Sequence, residues 1–93
     1  MLKINEYFDG KVKSITHESI EGTATVGVMA KGEYEFGTSS IEVVTVISGI
    51  LNVKLPGKKD WKSYKKFETF VVEKGEKFKV KCDEDIPYFC LYK

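Results

Sequence analysis

The sequence predicts a small, soluble all-β domain, either a closed barrel or a pair of packed sheets. Three observations predict it. Turn-forming dipeptides recur at short intervals along 93 residues, apolar and polar residues alternate with a period of two between them, and no stretch of about ten residues keeps a helical period. Strands suit this pattern because every second side chain of a strand shares a face, so one face meets a core and the other meets water.

The elements follow in order. Turn signals stand at Asp9-Gly10, Glu21-Gly22, Lys31-Gly32, Pro56-Gly57, Lys74-Gly75 and in the run Asp83-Glu84-Asp85 before Pro87. Gly10 to Thr16 and Thr23 to Met29 are the first two predicted strands. Tyr34 and Phe36 then alternate with Glu33 and Glu35. Val43 to Ile47 is a mostly apolar run of strand length, and Leu51, Val53 and Leu55 alternate with Asn52 and Lys54. Phe67 to Val72 follows. Phe78, Val80 and Cys82 interleave with Lys77, Lys79 and Lys81, and Tyr88 to Tyr92 closes the series of about eight or nine strands. Short strands at this spacing argue for a sandwich, a jelly roll or a small barrel.

Composition bounds the function. A chain of 93 residues is expected to form one domain over residues 1–93, without linker, repeat or low-complexity segment. Its high surface-to-volume ratio favours a homo-oligomer, a homodimer in the simplest case. Fifteen basic residues balance fourteen carboxylates, so no global field draws the protein to nucleic acid or to an anionic membrane. All the basic residues are lysines, which leaves an anion site only lysine or backbone N–H donors. Cys82 and Cys90 fall in neighbouring predicted strands and read as buried free thiols. Met1 to Gly10 holds no apolar run, and no segment approaches the roughly 18 apolar residues of a membrane span. A cytoplasmic protein is expected.

Several chemistries are excluded. The chain has neither a G-x-x-x-x-G-K-[ST] loop nor a G-x-G-x-x-G turn entering a helix. Ser48-Gly49 lacks the first glycine of a nucleophile elbow, and the single histidine, His17, reads as a solvated loop residue. One histidine cannot build a multi-histidine metal site. Lys58, Lys59, Trp61, Lys62, Tyr64, Lys65 and Lys66 interleave basic and aromatic side chains, a pattern that holds phosphates or stacks on bases when it is not simply a solvated loop. Glu42 is the exceptional carboxylate, because it opens the apolar strand Val43-Val44-Thr45-Val46-Ile47. Turned inward, it would be raised in pKa by desolvation and suited to proton transfer or to binding sugar hydroxyls.

The spacing from Glu42 to Gly49 resembles the end of the first cupin signature, and Glu73-Lys74-Gly75-Glu76-Lys77-Phe78 resembles part of the second. In cupins, small jelly-roll barrels, histidines accompany that glutamate to hold a divalent metal. Here Phe36, Thr38 and Phe78 stand at the histidine places, so the resemblance implies a metal-free cupin. A fuller match covers nearly the whole chain: Asn5 to Ser14, Gly27-Val28-Met29 with Gly32 to Phe36, Thr45 to Gly49 leading to Leu51-Asn52-Val53, then Asp60-Trp61, Phe70-x-Val72 and Tyr88-x-Cys90-x-Tyr92. These residues resemble the pyrimidine/purine nucleoside phosphorylase family. Val44 stands where that pattern has methionine, and Leu91 where some members carry a basic residue.

The resemblance implies a single-domain, cupin-like jelly-roll barrel that phosphorolyses purine and pyrimidine nucleosides to free base and pentose 1-phosphate. Phosphate is the co-substrate, with no metal or organic cofactor. Glu42, Tyr34 and Tyr92 are the candidate catalytic residues: Glu42 stabilises an oxocarbenium-like sugar, and the two tyrosines donate hydrogen bonds. Phe36 and Phe78 are candidate substrate walls, with Thr38 and Ser48 as phosphate contacts. A non-catalytic cupin that binds a sugar, nucleoside or other small metabolite is the alternative, and a metal-dependent cupin enzyme the third reading.

Overall fold

The computed structural model describes residues 2–93. The expected domain over residues 1–93 also includes Met1, which lies outside the described residues. Ten strands form two antiparallel sheets: β1 (Lys3–Tyr7), β2 (Val12–Ser19), β3 (Gly22–Met29), β4 (Gly32–Gly37), β5 (Glu42–Val46), β6 (Leu51–Lys54), β7 (Lys62–Tyr64), β8 (Thr69–Val72), β9 (Lys77–Cys82) and β10 (Ile86–Tyr92). One sheet has the order β1-β2-β3-β10-β5-β8 and the other β4-β9-β6-β7.

From β3 onward the chain behaves as one long hairpin rolled over on itself. β6 pairs with β7, β5 with β8, β4 with β9 and β3 with β10, each pair nested around the previous one. Nested antiparallel pairs split between two facing sheets are a jelly roll, the cupin architecture. The hydrogen-bonded ladders end at β1 and β8 in one sheet and at β4 and β7 in the other, so the barrel is two stacked sheets rather than a single closed one.

Period-two alternation fills the space between the sheets. Phe78, Val80 and Cys82 of β9 are buried while Lys77 and Lys79 are exposed, and Ile86, Tyr88 and Cys90 of β10 point inward with them. Val12, Val46, Leu51, Val53, Val80 and Ile86 have no exposed surface. Each such aliphatic side chain contributes about 1.5–3 kcal/mol through removal of apolar area from water. Two glycines make room for this packing. A Cβ on Gly27 would lie 2.7 Å from the Ser14 Cβ and 2.9 Å from the Tyr88 hydroxyl, so only hydrogen lets Tyr88 lie across β3. Gly49, at φ +81°, turns the chain from β5 into β6, and a Cβ there would meet Ile86 Cδ1 at 2.6 Å.

Several expectations are corrected. β1 and β7 are additional strands. β1 is an edge strand, exposed except at Asn5, whose amide donates to the Ser14 and Thr16 hydroxyls at 3.2 and 2.8 Å. β7 has three residues, too few to show a period. His17 is half-buried within β2 rather than in a solvated loop, and its Nε2 is buried without a hydrogen-bond partner. Phe67 does not begin a strand; it is exposed in a turn at φ 67°, and β8 starts at Thr69. The first predicted strand starts later, at Val12, because Phe8, Asp9 and Gly10 take positive φ in the β1–β2 turn. Cys82 and Cys90 are free and buried as expected, but β9 and β10 belong to opposite sheets.

The outer faces differ in character. On the four-stranded sheet, Glu33 and Glu35 of β4 face Lys81 and Lys79 of β9. On the six-stranded sheet, Ile4 pairs with Ile15 and Ile15 with Val26, and all three are substantially exposed, as are Val28 and Val71.

Candidate functional site

A cavity of about 150 Å³ lies between the sheets. Its polar side is built by the six-stranded sheet: Glu42 and Val44 of β5, Tyr88, Cys90 and Tyr92 of β10, with Ser14 of β2 and Met29 of β3. Phe36 and Gly37 of β4 and Phe78 of β9 form the opposing wall from the four-stranded sheet, while Phe70 of β8 and Tyr7 of β1 come from the two edge strands of the six-stranded one. The register explains the grouping. Tyr92 pairs with Glu42 and Cys90 with Val44 across β10 and β5, while Phe36 pairs with Phe78 across β4 and β9.

Glu42 faces inward because it shares the pleat of the buried Val44 and Val46. The Cys90 thiol donates to Glu42 Oε1 at 3.6 Å. Burial pushes the Glu42 carboxyl above the usual carboxylate range, and the thiol hydrogen bond works in the opposite direction. Burial, followed by the negative charge of Glu42, pushes the Cys90 thiol up to about 12, so it stays protonated and remains a donor. Tyr88 is raised to about 12, chiefly by burial, with the Ser14 hydroxyl acting against it. Burial also raises Tyr92, whose hydroxyl lies 3.2 Å from that of Thr25. At neutral pH the cavity therefore holds one ionisable carboxylate among neutral donors, and no lysine lines it.

The aromatic wall is continuous. The Phe36 and Phe78 ring centroids are 5.7 Å apart and those of Phe78 and Phe70 are 6.0 Å apart. Phe8, from the strained β1–β2 turn, packs edge-on to Phe36 at 5.5 Å.

Of the residues singled out in the sequence, Glu42, Tyr92, Phe36 and Phe78 line this cavity, whereas Tyr34, Thr38 and Ser48 do not. The Tyr34 hydroxyl donates to the Ala30 carbonyl at 2.6 Å, and its ring is buried against Phe8. The Thr38 hydroxyl donates to the Glu73 carbonyl at 2.7 Å and accepts from the Glu76 N–H at 3.0 Å, which ties the end of β4 to the turn before β9. Ser48 is exposed in the β5–β6 turn. Val44 lines the cavity, but Leu91 alternates with Cys90 and Tyr92 and so faces away from it. Sequence reasoning missed Tyr7, Ser14, Met29, Phe70, Tyr88 and Cys90. Stepping back by two residues from Tyr92 would have reached Cys90 and Tyr88, since all three share one face of β10.

The donor set does not fit a cupin metal. The histidine places hold the rings of Phe36 and Phe78 and the committed hydroxyl of Thr38. Among the described residues, no three His, Cys, Asp or Glu side chains are grouped as ligands.

A profile of the family described as pyrimidine/purine nucleoside phosphorylase matches residues 2–92. The chain is 54% identical over 92 residues to the pyrimidine/purine nucleoside phosphorylase of Alcanivorax borkumensis, covering 99% of this chain and 98% of that one. A solved structure of a protein of unknown function from Vibrio parahaemolyticus superimposes with a TM-score of 0.93 at 40% identity, covering 97% of this chain and 96% of that one. A cupin-2 domain from Rhodospirillum rubrum shares the fold at a TM-score of 0.74 and 11% identity, over 96% of this chain and 67% of that one. With a cupin jelly roll, a carboxylate-bearing cavity and this likeness along its length, the chain belongs to the pyrimidine/purine nucleoside phosphorylase family.

Proposed function

We propose that this protein cleaves purine and pyrimidine nucleosides with inorganic phosphate, releasing the free base and pentose 1-phosphate. The likeness over residues 2–92 to proteins named for that activity carries the reading. The cavity supplies a mechanism. As the bond from the anomeric carbon to the base nitrogen breaks, its electron pair leaves with the base and positive charge develops on the sugar. The Glu42 carboxylate stabilises that charge and accepts hydrogen bonds from the ribose hydroxyls, while a phosphate oxygen forms the new bond to the anomeric carbon. The Tyr92 hydroxyl donates a hydrogen bond to the sugar or the departing base, the base nitrogen takes its proton from water, and Phe36 and Phe78 wall the sugar.

At about 150 Å³ the cavity is smaller than the roughly 300–1,000 Å³ of sites that enclose a whole ligand. In this reading it admits the pentose and leaves the base at the mouth. Few base edges are then read, which suits broad base specificity, because buried hydrogen-bond readout is what rejects analogues. No lysine lines the cavity, so in this reading the phosphate is held by hydroxyl and backbone N–H donors. The reaction needs no metal or organic cofactor. Tyr34 and Thr38, whose hydroxyls are committed to backbone carbonyls, serve the framework.

The reading includes a homodimer formed through the apolar outer face around Ile15 and Val26, a contiguous patch of the kind that marks an interface. Two free, buried thiols suit a reducing, cytoplasmic compartment. The test is incubation of the purified protein with uridine or inosine, with and without phosphate. Phosphate-dependent release of base is expected. Release without phosphate, or none, overturns the reading, and calorimetric binding without turnover would favour a non-catalytic cupin.

A further inference from the structure

We propose that a second cavity, under the β6–β7 loop, is a binding site for a nucleoside monophosphate, a planar base carrying a phosphate ester. At about 360 Å³ it falls within the range of small-molecule sites, and it shares no lining residue with the inter-sheet cavity. Its floor is apolar, from Val53, Leu55 and Tyr64, and Trp61 adds an aromatic surface. Lys58, Lys59 and Lys62 line it against a single carboxylate, Asp60.

The scaffold is built rather than loose. The Lys58 N–H donates to the Leu55 carbonyl at 3.0 Å across a turn in which Gly57 takes φ +74°. The Lys81 ammonium lies 4.2 Å from the Trp61 ring centroid and braces the indole. Among the described residues the one ion pair is Glu6–Lys13, so the cavity's amines form no direct ion pair and three lysines face one carboxylate. Lys54, Lys77 and Lys79, against the single carboxylate Glu35, line an adjoining cleft that shares Leu55 and Lys58 and keeps a net positive charge.

Aromatic surface beside unpaired lysines recognises a stacked base together with a phosphate dianion. A neutral nucleoside lacks the charge, and a pentose phosphate lacks the ring. This cavity therefore favours the phosphorylated form over the nucleoside itself.

Trp61 is the only tryptophan of the chain, so its emission reports on this cavity. The test titrates the full chain with uridine 5′-monophosphate in phosphate-free buffer, following emission and heat. Saturable binding is expected, at least about tenfold tighter than for uridine or ribose 5-phosphate, or roughly 1.4 kcal/mol. The double variant Lys58→Ala/Lys59→Ala should weaken it by a similar factor, while Glu42→Ala should leave it in place. Absence of saturable binding, equal binding of uridine or ribose 5-phosphate, or unchanged binding by the double variant overturns the proposal. Loss of binding in Glu42→Ala does so too, because it puts the ligand in the inter-sheet cavity.

Discussion

Replacing Glu42 by glutamine separates what its charge does from what its shape does. Glutamine keeps the size and can still hydrogen-bond ribose hydroxyls, but it cannot stabilise a developing cation. Loss of one preorganised electrostatic group of this kind lowers kcat by about 10²–10³-fold, or about 2.7–4 kcal/mol of transition-state stabilisation, with little change in KM. Stability should move the other way. The carboxylate has one hydrogen-bond partner, the Cys90 thiol at 3.6 Å, and no lysine lines its cavity, so its ionised form is poorly compensated. Its native pKa lies above the unfolded value. The native state therefore binds the extra proton, and the stability contributed by Glu42 is present at low pH and lost as pH rises through the raised native value. Glutamine does not ionise, so the variant should unfold at a higher temperature than the parent at pH 7, with the gap closing as pH falls through the ordinary carboxylate range. Phosphate-dependent uridine cleavage and thermal melts over pH 4–8 measure both effects. A Glu42→Gln enzyme within about threefold of parental kcat would remove the carboxylate charge from the chemistry, and one that melts lower at pH 7 would mean that the charge is well compensated in the fold.

Other perturbations reach different parts of the molecule. Phe78→Ala removes a buried ring that packs on Phe36 and Phe70, and urea unfolding should show a loss of about 3–5 kcal/mol; a loss under about 1 kcal/mol would mean the wall contributes little to the fold. Cys90→Ala deletes the donor that lowers the Glu42 pKa, so the acidic limb of the pH–rate profile should shift to higher pH, and an unmoved limb would separate the thiol from the carboxylate. Val26→Asp sets a charge in the apolar outer face opposite Ile15, and sedimentation velocity should show a dimeric parent and a monomeric variant; a parent that is already monomeric, or a variant that stays dimeric, argues against that interface.

Much of the fold is legible in the sequence because strands reveal themselves locally. The alternation of Phe78, Val80 and Cys82 with lysines needs no knowledge of partners to assign a buried face, and β9 follows it. β1 and β7 escape because one offers little core face and the other is too short for a period. His17 shows the limit of local reading: polar neighbours suggest a loop, yet pairing with Ala24 makes it part of a strand.

The amino-acid order alone carries the all-β class, which face of the well-patterned strands is buried and the resemblance to the family. These depend on side-chain alternation and on motifs that a single chain displays. Which strands pair is set in three dimensions, and pairing is what assembles the cavity. Local alternation gives Phe36 and Phe78 an inward face; the structure turns Glu42 and Tyr92 inward as well, and the nested registers of β5 with β10 and of β4 with β9 bring the four together. The same registers leave Ser48 in a turn, commit Thr38 to backbone partners and bury Tyr34 behind Phe8. A strand's pattern carries its period but not the identity of its distant neighbour, so the site follows from hydrogen-bonded pairings between residues far apart in the chain.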